Sequence, residues 1–142
     1  MGAVYRSGVS WPESASGSEI DPYGGEPREF PNQKPEVSAP GVNIFSTATT
    51  ELSPPYAYSS GTSDSTVFVA GALSLILELY GEELENENGQ IDQESMELVK
   101  RALANSAAGG ESFEGGHDSK MGYGKLDASE WASQVAFELN LN

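Results

Sequence analysis

GTSDSTVFVAG, residues 61–71, is the stretch of sequence that decides the fold. It continues as ALSLILELY to Tyr80, so apolar side chains fall on nearly every side of a 3.6-residue period. This pattern predicts a helix from Ser63 to Tyr80 that is buried on most sides and stops at Gly81. Such a helix needs much apolar material around it, and the rest of the chain offers little. We expect the core to lie around this helix.

Ser63 stands at the predicted N-terminus of that helix, where backbone N–H groups lack partners and the helix dipole is positive. A serine there can serve as a nucleophile whose own amide stabilises an oxyanion, and Gly61 leaves room for a substrate. On pattern alone, a plain helix cap is the simpler interpretation, because Ser and Thr cap many helices. Asp64 is interpreted as an orienting acid or, more simply, as a favourable charge at the dipole.

Around the helix the chain divides into three parts. Residues 1–6 contain a short apolar run that predicts a buried strand, and residues 7–33 are rich in Gly, Ser, Pro and Glu and predict a long surface loop. Residues 34–139 hold the serine region and the later helices. Within them, residues 37–46 resume β character around a turn at Pro40-Gly41.

Two further helices are predicted from their caps. Asp92 is expected to cap an amphipathic helix over Gln93–Ala104, and Asp127 to cap the last helix with Glu130 in the reciprocal position. The expected apolar stripes are Met96, Val99 and Leu103 on the first helix and Trp131, Val135 and Leu139 on the last. The glycine-rich residues 109–124 between the two helices predict a loop with a short turn.

Charge excludes several classes of partner. The 22 acidic and seven basic residues give a formal net charge of −15, which repels nucleic acid phosphates and anionic lipid headgroups. We therefore expect no nucleic acid and no membrane partner. The acidity is explained either by adaptation to high salt or by ordinary clustering of carboxylates in loops such as residues 82–87.

Several other chemistries are absent or weakly indicated. With no cysteine the chain has no disulfide, thiolate nucleophile or cysteine-bound metal. The acidic stretch 82–87, with Asn88 and Asp92, offers oxygen ligands but lacks the spacing of a calcium loop, so a solvated loop is expected. No secretion signal and no transmembrane span is recognised, the longest apolar stretch being Val67 to Leu77.

Four segments, in order, carry a family resemblance. Residues 61–71 resemble the nucleophile segment of the subtilase family, in which Gly-Thr-Ser opens a helix that continues to Val-Ala-Gly. Residues 34–44 are similar to the family's segment around Ala-Pro-Gly, here Ala39-Pro40-Gly41. Residues 122–128 resemble the family's closing Gly-x-Gly turn into the final helix, and Gly2-Ala3-Val4 matches the preceding strand.

This resemblance implies an α/β fold: the C-terminal portion of a subtilisin-like fold, with a mainly parallel sheet and a buried central helix. It implies a serine endopeptidase acting on protein or peptide substrates, with Ser63 as the acylating nucleophile and Gly61 and Thr62 shaping its turn. Val67 and Phe68, where many members have Pro and His, are expected to be core variations. No cofactor is expected; family members can bind structural calcium, but no site is identified here. The location stays open on the sequence, and the resemblance makes an extracellular one plausible.

The family's Asp, its His and the Asn of its oxyanion hole lie N-terminal to the matched region. We therefore expect an N-terminal part of the protease domain to supply them and the isolated 142-residue chain to be inactive. The one histidine, His117, lies in the glycine-rich loop and is expected to be solvated and not to act as the base. Trp11, Tyr23 and Phe30 are expected to pin the long loop to the body, the alternative being a binding surface.

Two functions remain open on the sequence. One is a part of a protease that hydrolyses peptide bonds through Ser63. The other is an inactive subtilase remnant that acts as a structural or binding module, with Ser63 only a helix cap. A third outcome, in which the chain does not fold stably alone, follows from the lack of neighbours for the central helix.

Overall fold

Two short parallel strands lie at the centre of the protein. The computed structural model describes residues 1–18, 20–21, 23–51, 53–113 and 116–141. Strand β1 (Gly2–Val4) pairs in parallel with β2 (Ser38–Pro40), and the strand predicted within residues 1–6 is confirmed as fully buried. Residues 122–126 lie along β2, since Ser38 exchanges backbone hydrogen bonds with Gly124 and Leu126.

The prediction of a mainly parallel sheet was too broad. The parallel sheet has two strands, and a second, separate sheet is an antiparallel hairpin of β3 (Ile44–Thr47) and β4 (Tyr56–Ser59). Strands joined by a short loop pair in antiparallel fashion, because a parallel pair needs a longer crossover connection. Strand β4 was not predicted, and Val42 lies in a bend ahead of β3.

The central helix is longer than predicted. Helix α1 runs from Thr62 to Leu84 and passes through Gly81. Gly81 keeps an ordinary negative φ, so it does not form the left-handed stop that was expected. A glycine inside a helix costs only about 1 kcal/mol, and Leu84 packs into the core one turn later. Burial of Leu84 therefore extends the helix beyond its sequence signal.

Only one face of α1 is buried, which corrects the prediction of burial on most sides. Strands β1 and β2 and the last helix pack against that face, whose buried members are Ser65, Val69, Ala72, Ile76 and Leu84. On the other side Val67 is 71% exposed and Leu75 66% exposed. Val67 and Phe68 are thus surface residues here and not core variations. No helix in the described ranges is long and apolar enough to cross a membrane.

The two later helices confirm their predicted caps. Helix α2 (Gln93–Ser106) begins where Asp92 accepts a hydrogen bond from the Ser95 amide, and this bond lowers the pKa of Asp92. Helix α3 (Ala128–Glu138) begins where Asp127 accepts from the Glu130 amide. The two helices pack together through Trp131, whose indole N–H donates to the Val99 carbonyl at 2.9 Å.

The predicted long loop, apart from residues 19 and 22, which lie outside the described residues, has neither helix nor extended strand. It is nevertheless anchored: the Ser14 hydroxyl accepts from the Ala3 amide, and Trp11 donates its own amide to the Ala3 carbonyl. Tyr23 is 99% exposed and pins nothing, whereas Phe30 packs edge-on against Tyr123. The glycine-rich loop, with residues 114 and 115 outside the described part, contains one short 3-10 turn, Gly110–Ser112.

Tyr123 joins these two loops. Its ring packs edge-on against Phe30 and against His117, and its hydroxyl donates to the Gln33 side chain at 2.8 Å. Burial raises the pKa of the Tyr123 hydroxyl above its ordinary value of 10.0. The neutral phenol is therefore favoured in the folded chain.

Tyr123 should make the protein sensitive to alkali. Its folded pKa lies above its unfolded pKa, so its contribution is fully present below about pH 10 and is lost as pH rises through the folded pKa. Urea unfolding between pH 8 and 11.5 should show stability falling above pH 10, less steeply in Tyr123→Phe. Tyr23→Phe, at an exposed tyrosine, is the control and should follow the unmodified chain. Equal slopes in all three proteins would contradict the assignment.

Candidate active site

Ser63 lies at an exposed corner of the fold. Helix α1 follows β4 after Ser60 and Gly61, and Gly61 is its N-cap, with no side-chain hydrogen bond capping the helix. Ser63 is the second helical residue and its side chain is exposed. The first-turn N–H groups of a helix have no intrahelical acceptor. The capping interpretation of Ser63 is thus wrong, and the N–H groups around it have no side-chain cap.

The residue that fixes this corner is Ser65. It is fully buried, and its hydroxyl donates to the Ala39 carbonyl of β2 at 2.9 Å. A second bond runs from the Gly61 amide to the Gly41 carbonyl at 2.8 Å. Together these two bonds connect the helix N-terminus to the end of β2, so the backbone around Ser63 is fixed on its core-facing side.

Gly41 allows the helix and the strands to approach this closely. A Cβ at Gly41 would lie 2.3 Å from the Ser65 hydroxyl, 2.7 Å from the Gly61 carbonyl oxygen and 2.8 Å from the Ala3 methyl. These distances are far inside van der Waals contact. The glycine of the Ala-Pro-Gly segment is therefore required by packing against the serine turn.

Gly61 has a different role. Its backbone is extended, with φ 169° and ψ 163°, a conformation that any residue can adopt, so glycine is not required there by the backbone. A Cβ there would lie 3.7 Å from the Ser63 amide nitrogen. The lack of a side chain leaves that amide uncovered on the Gly61 side. Thr62, the first helical residue, accepts a hydrogen bond from the Thr66 hydroxyl through its carbonyl at 2.9 Å.

Asp64 does not orient Ser63 through any hydrogen bond in the structure. Its carboxylate accepts from the Ser59 hydroxyl at 3.0 Å and so links the end of β4 to the first turn of α1. A negative charge in that turn also suits the helix dipole. The simpler of the two sequence interpretations fits this geometry.

An open apolar groove of about 730 Å³ lies beside this corner, between β3, α1 and the start of α3. It is bounded by the exposed face of α1 and by the hairpin, where Phe45 lies against Tyr56 and Tyr58 with ring centroids 5.5 and 5.0 Å away. Its lining residues are Ile44, Phe45, Ser46, Asp64, Val67, Phe68, Gly71, Ala72, Leu75, Leu126 and Ala128.

His117 is held elsewhere. Its Nε2–H donates to the Pro35 carbonyl, with 3.0 Å between the two atoms, and its ring lies edge-on to Tyr123 at 4.9 Å. It is partly buried, so the expectation of a solvated side chain was wrong. Its partners belong to the loops and not to α1, and the structure does not bring it together with Ser63.

The acidic stretch 82–87 begins in the last turn of α1, where a loop was expected, and forms no metal centre among the described residues. No cluster of three or more His, Cys, Asp or Glu side chains there could hold an ion. The Asn86 side chain accepts from the amides of Asn88 and Gln90 and donates to Asp92. These bonds close a local turn.

A family model, described as the Subtilase family, matches residues 13–124. The chain belongs to the subtilase family. The match includes β2, the hairpin, α1 and α2 and ends at Gly124, while β1 and α3 lie outside it. A search of curated proteins found no match.

Membership in a family of serine protease-type hydrolases fits the corner at Ser63. Sequence reasoning selected Gly61, Thr62 and Ser63, and the structure places all three in one turn at the start of α1. It missed Ser65 and the packing role of Gly41. One signal in the sequence could have identified Ser65. It lies at helical spacing with Val69, Ala72 and Ile76 and is therefore a polar residue on the side of the helix that faces the core.

Gly41→Ala should destabilise the protein, because the added methyl overlaps the Ser65 hydroxyl and the Gly61 backbone. Overpacking of this kind costs about 1–3 kcal/mol. The matched control is Gly81→Ala, where a Cβ would meet nothing within 4 Å and a helical Ala gains about 1 kcal/mol. Urea unfolding should show opposite signs for the two variants. A Gly41→Ala protein as stable as the parent would contradict the close approach.

Proposed function

We propose that this chain is the nucleophile-bearing, C-terminal part of a subtilisin-like serine endopeptidase and that it forms an acyl-enzyme on Ser63. The observation that carries the proposal is the exposed Ser63 hydroxyl at the second position of a helix whose N-terminus has no side-chain cap. Protein or peptide chains are the substrates. Membership in the subtilase family supports this reaction class.

In the proposed reaction the Ser63 oxygen attacks the carbonyl carbon of a peptide bond, and its proton passes to a histidine base. The carbonyl oxygen takes up the negative charge and accepts a hydrogen bond from the Ser63 amide, a donor fixed before the reaction. Collapse of this intermediate breaks the C–N bond, and the protonated base gives its proton to the leaving amine. Water then cleaves the ester and restores Ser63. Gly61 and Thr62 shape the approach to this atom.

The base, its Asp and the second oxyanion donor, an Asn, are proposed to come from an N-terminal part of the protease domain. Two observations support this. The one histidine of the chain is engaged with Pro35 and Tyr123. The exposed face of α1 and the adjoining groove present apolar side chains beside Ser63, among them Val67, Phe68 and Leu75, and apolar patches of this kind mark contact surfaces.

The test combines the full chain with a separately produced N-terminal part of a subtilase domain. Alone, the chain should neither hydrolyse a peptide ester nor react with a serine-directed fluorophosphonate, because an unactivated serine is an ordinary alcohol. With the partner, both activities should appear. Ser63→Ala should abolish both, while leaving the free energy of unfolding within about 0.5 kcal/mol, as expected for an exposed site.

Ser74→Ala is the matched control, since Ser74 is exposed on the same helix and bonds only to the Ala70 carbonyl. It should retain both activities. Strong labelling of Ser63 in the isolated chain would contradict the need for an external base. Full activity of Ser63→Ala in the complex would exclude Ser63 as the nucleophile and favour the non-enzymatic module.

We also propose that the acidic surface is an adaptation to high salt. Only three ion pairs link described side chains: Arg28–Asp21, Lys34–Glu36 and Arg101–Glu138. Against a net charge of −15, few carboxylates are neutralised within the fold. Mutual repulsion then opposes compaction until salt screens it.

The melting temperature should therefore rise between 0.05 M and 2 M KCl. Most of the screening gain is expected below about 1 M, where the Debye length falls to about 3 Å. Sucrose, which is uncharged, serves as the control and should not reproduce the steep initial rise. A melting temperature that stays constant with KCl would exclude the salt adaptation.

A further inference from the structure

Most of the few basic side chains in this acidic protein have a partner within the fold. Of seven basic side chains, five have an acceptor in the structure. Three form the ion pairs given above, Lys100 donates to the Asn32 side chain, and Lys120 donates to the Pro12 carbonyl. Of the basic side chains, all of which the structure describes, only those of Arg6 and Lys125 have no hydrogen-bonding or ionic partner among the described residues.

These two cations, far apart in sequence, line the same cleft. The cleft has a volume of about 270 Å³ and lies where β1 and β2 end, with Pro40 and the Tyr5–Gly8 turn at its edge. No acidic residue is among the described residues that line it. In a protein with three acidic residues for each basic one, the two unpaired cations meet in one place.

Lys125 is positioned by its backbone and by a glycine. Its amide and carbonyl both bond to Ala108, at 2.9 and 2.8 Å, which fixes its Cα. Its side chain lies against Gly8, where a Cβ would come within 3.0 Å of the ammonium nitrogen. Gly8 has φ +84°, a conformation that favours glycine. A tight turn thus provides the space for the lysine.

Arg6 is placed by the same turn. Gly8 donates its amide to the Tyr5 carbonyl at 2.8 Å, and Tyr5 donates to Val9 at 2.9 Å, so Arg6 sits at the tip of a closed loop. The guanidinium carries a fixed fork of donors suited to a carboxylate, and the ammonium adds a point charge. The cleft is also lined by Pro40 and Leu126, whose partly exposed side chains are apolar.

We propose that this cleft binds a small organic carboxylate, with its charged end at Arg6 and Lys125 and its aliphatic part against Pro40 and Leu126. The two cations have no acidic partner in the part of the chain that the structure describes and therefore favour an anion as ligand. The apolar side chains beside them favour an anion that carries a hydrocarbon portion over a bare inorganic oxyanion. The site uses neither Ser63 nor its turn, so it stands independently of the proteolytic proposal.

The experiment titrates the full ¹⁵N-labelled chain with sodium butyrate at constant ionic strength and follows amide shifts at Gly8, Ala39 and Ala108. Butyramide, the neutral isostere, and inorganic phosphate are titrated in parallel. Butyrate should give saturable shifts confined to this cleft, and butyramide should not. Arg6→Gln and Lys125→Gln should each weaken binding by about tenfold or more, the worth of one charged hydrogen-bond partner.

Lys100→Gln removes the same charge from α2, outside the cleft, and should leave butyrate binding unchanged. Spectra of all variants should retain the dispersion of the parent. The proposal is overturned if butyrate gives no saturable shift, or if both cleft variants bind it like the parent. Phosphate binding as tightly as butyrate would overturn the preference for an organic carboxylate, and equal shifts with butyramide would overturn the role of charge.

Discussion

The hydrogen bond from the Ser65 hydroxyl to the Ala39 carbonyl is the contact on which the arrangement of this protein depends. It joins the first turn of α1 to β2 inside the core, at a point where Gly41 leaves no space for a side chain. A buried hydroxyl without this acceptor would be costly, so the helix cannot rotate or slide without a penalty of about 1–3 kcal/mol. Because Ser63 lies two residues earlier in the same helical turn, this buried bond also fixes the position of the Ser63 backbone.

Helix α1 meets two different environments along its length. One face supplies much of the hydrophobic core with β1, β2 and α3, and the other presents Val67, Phe68, Leu75 and Leu79 to solvent. A helix that is apolar all round is normally enclosed. The uncovered face adjoins the turn that holds Ser63, so the surface proposed to receive a partner and the proposed nucleophile belong to the same helix.

The loops are organised by specific contacts in place of regular secondary structure. Tyr123 holds Phe30 and Gln33 from one loop and His117 from the other. This explains how a chain with few apolar residues in its first 33 positions keeps that segment against the body. It also explains the position of His117, whose ring nitrogen is used by a backbone carbonyl.

Much of the local structure could be predicted. The caps at Asp92 and Asp127, the buried first strand, the long loop and the position of Ser63 at a helix start each depend on residues within a few positions of one another. Such signals act through the backbone groups beside them, so they depend little on distant contacts. The family resemblance also rested on short segments, and the family is shown by the match over residues 13–124.

The features that the sequence left undecided or mispredicted depend on distant partners. The end of α1 was set by burial of Leu84 and not by Gly81, and the uncovered face of α1 depends on which elements pack around it. The convergence of Arg6 with Lys125 is likewise invisible in a sequence where they stand more than a hundred positions apart. By itself the sequence determined where helices start and which serine is exposed at such a start. Only the tertiary structure decided which residues pack against that serine turn and which face of α1 stays uncovered. The reason is that local propensity does not distinguish between alternative distant contacts, whereas packing does.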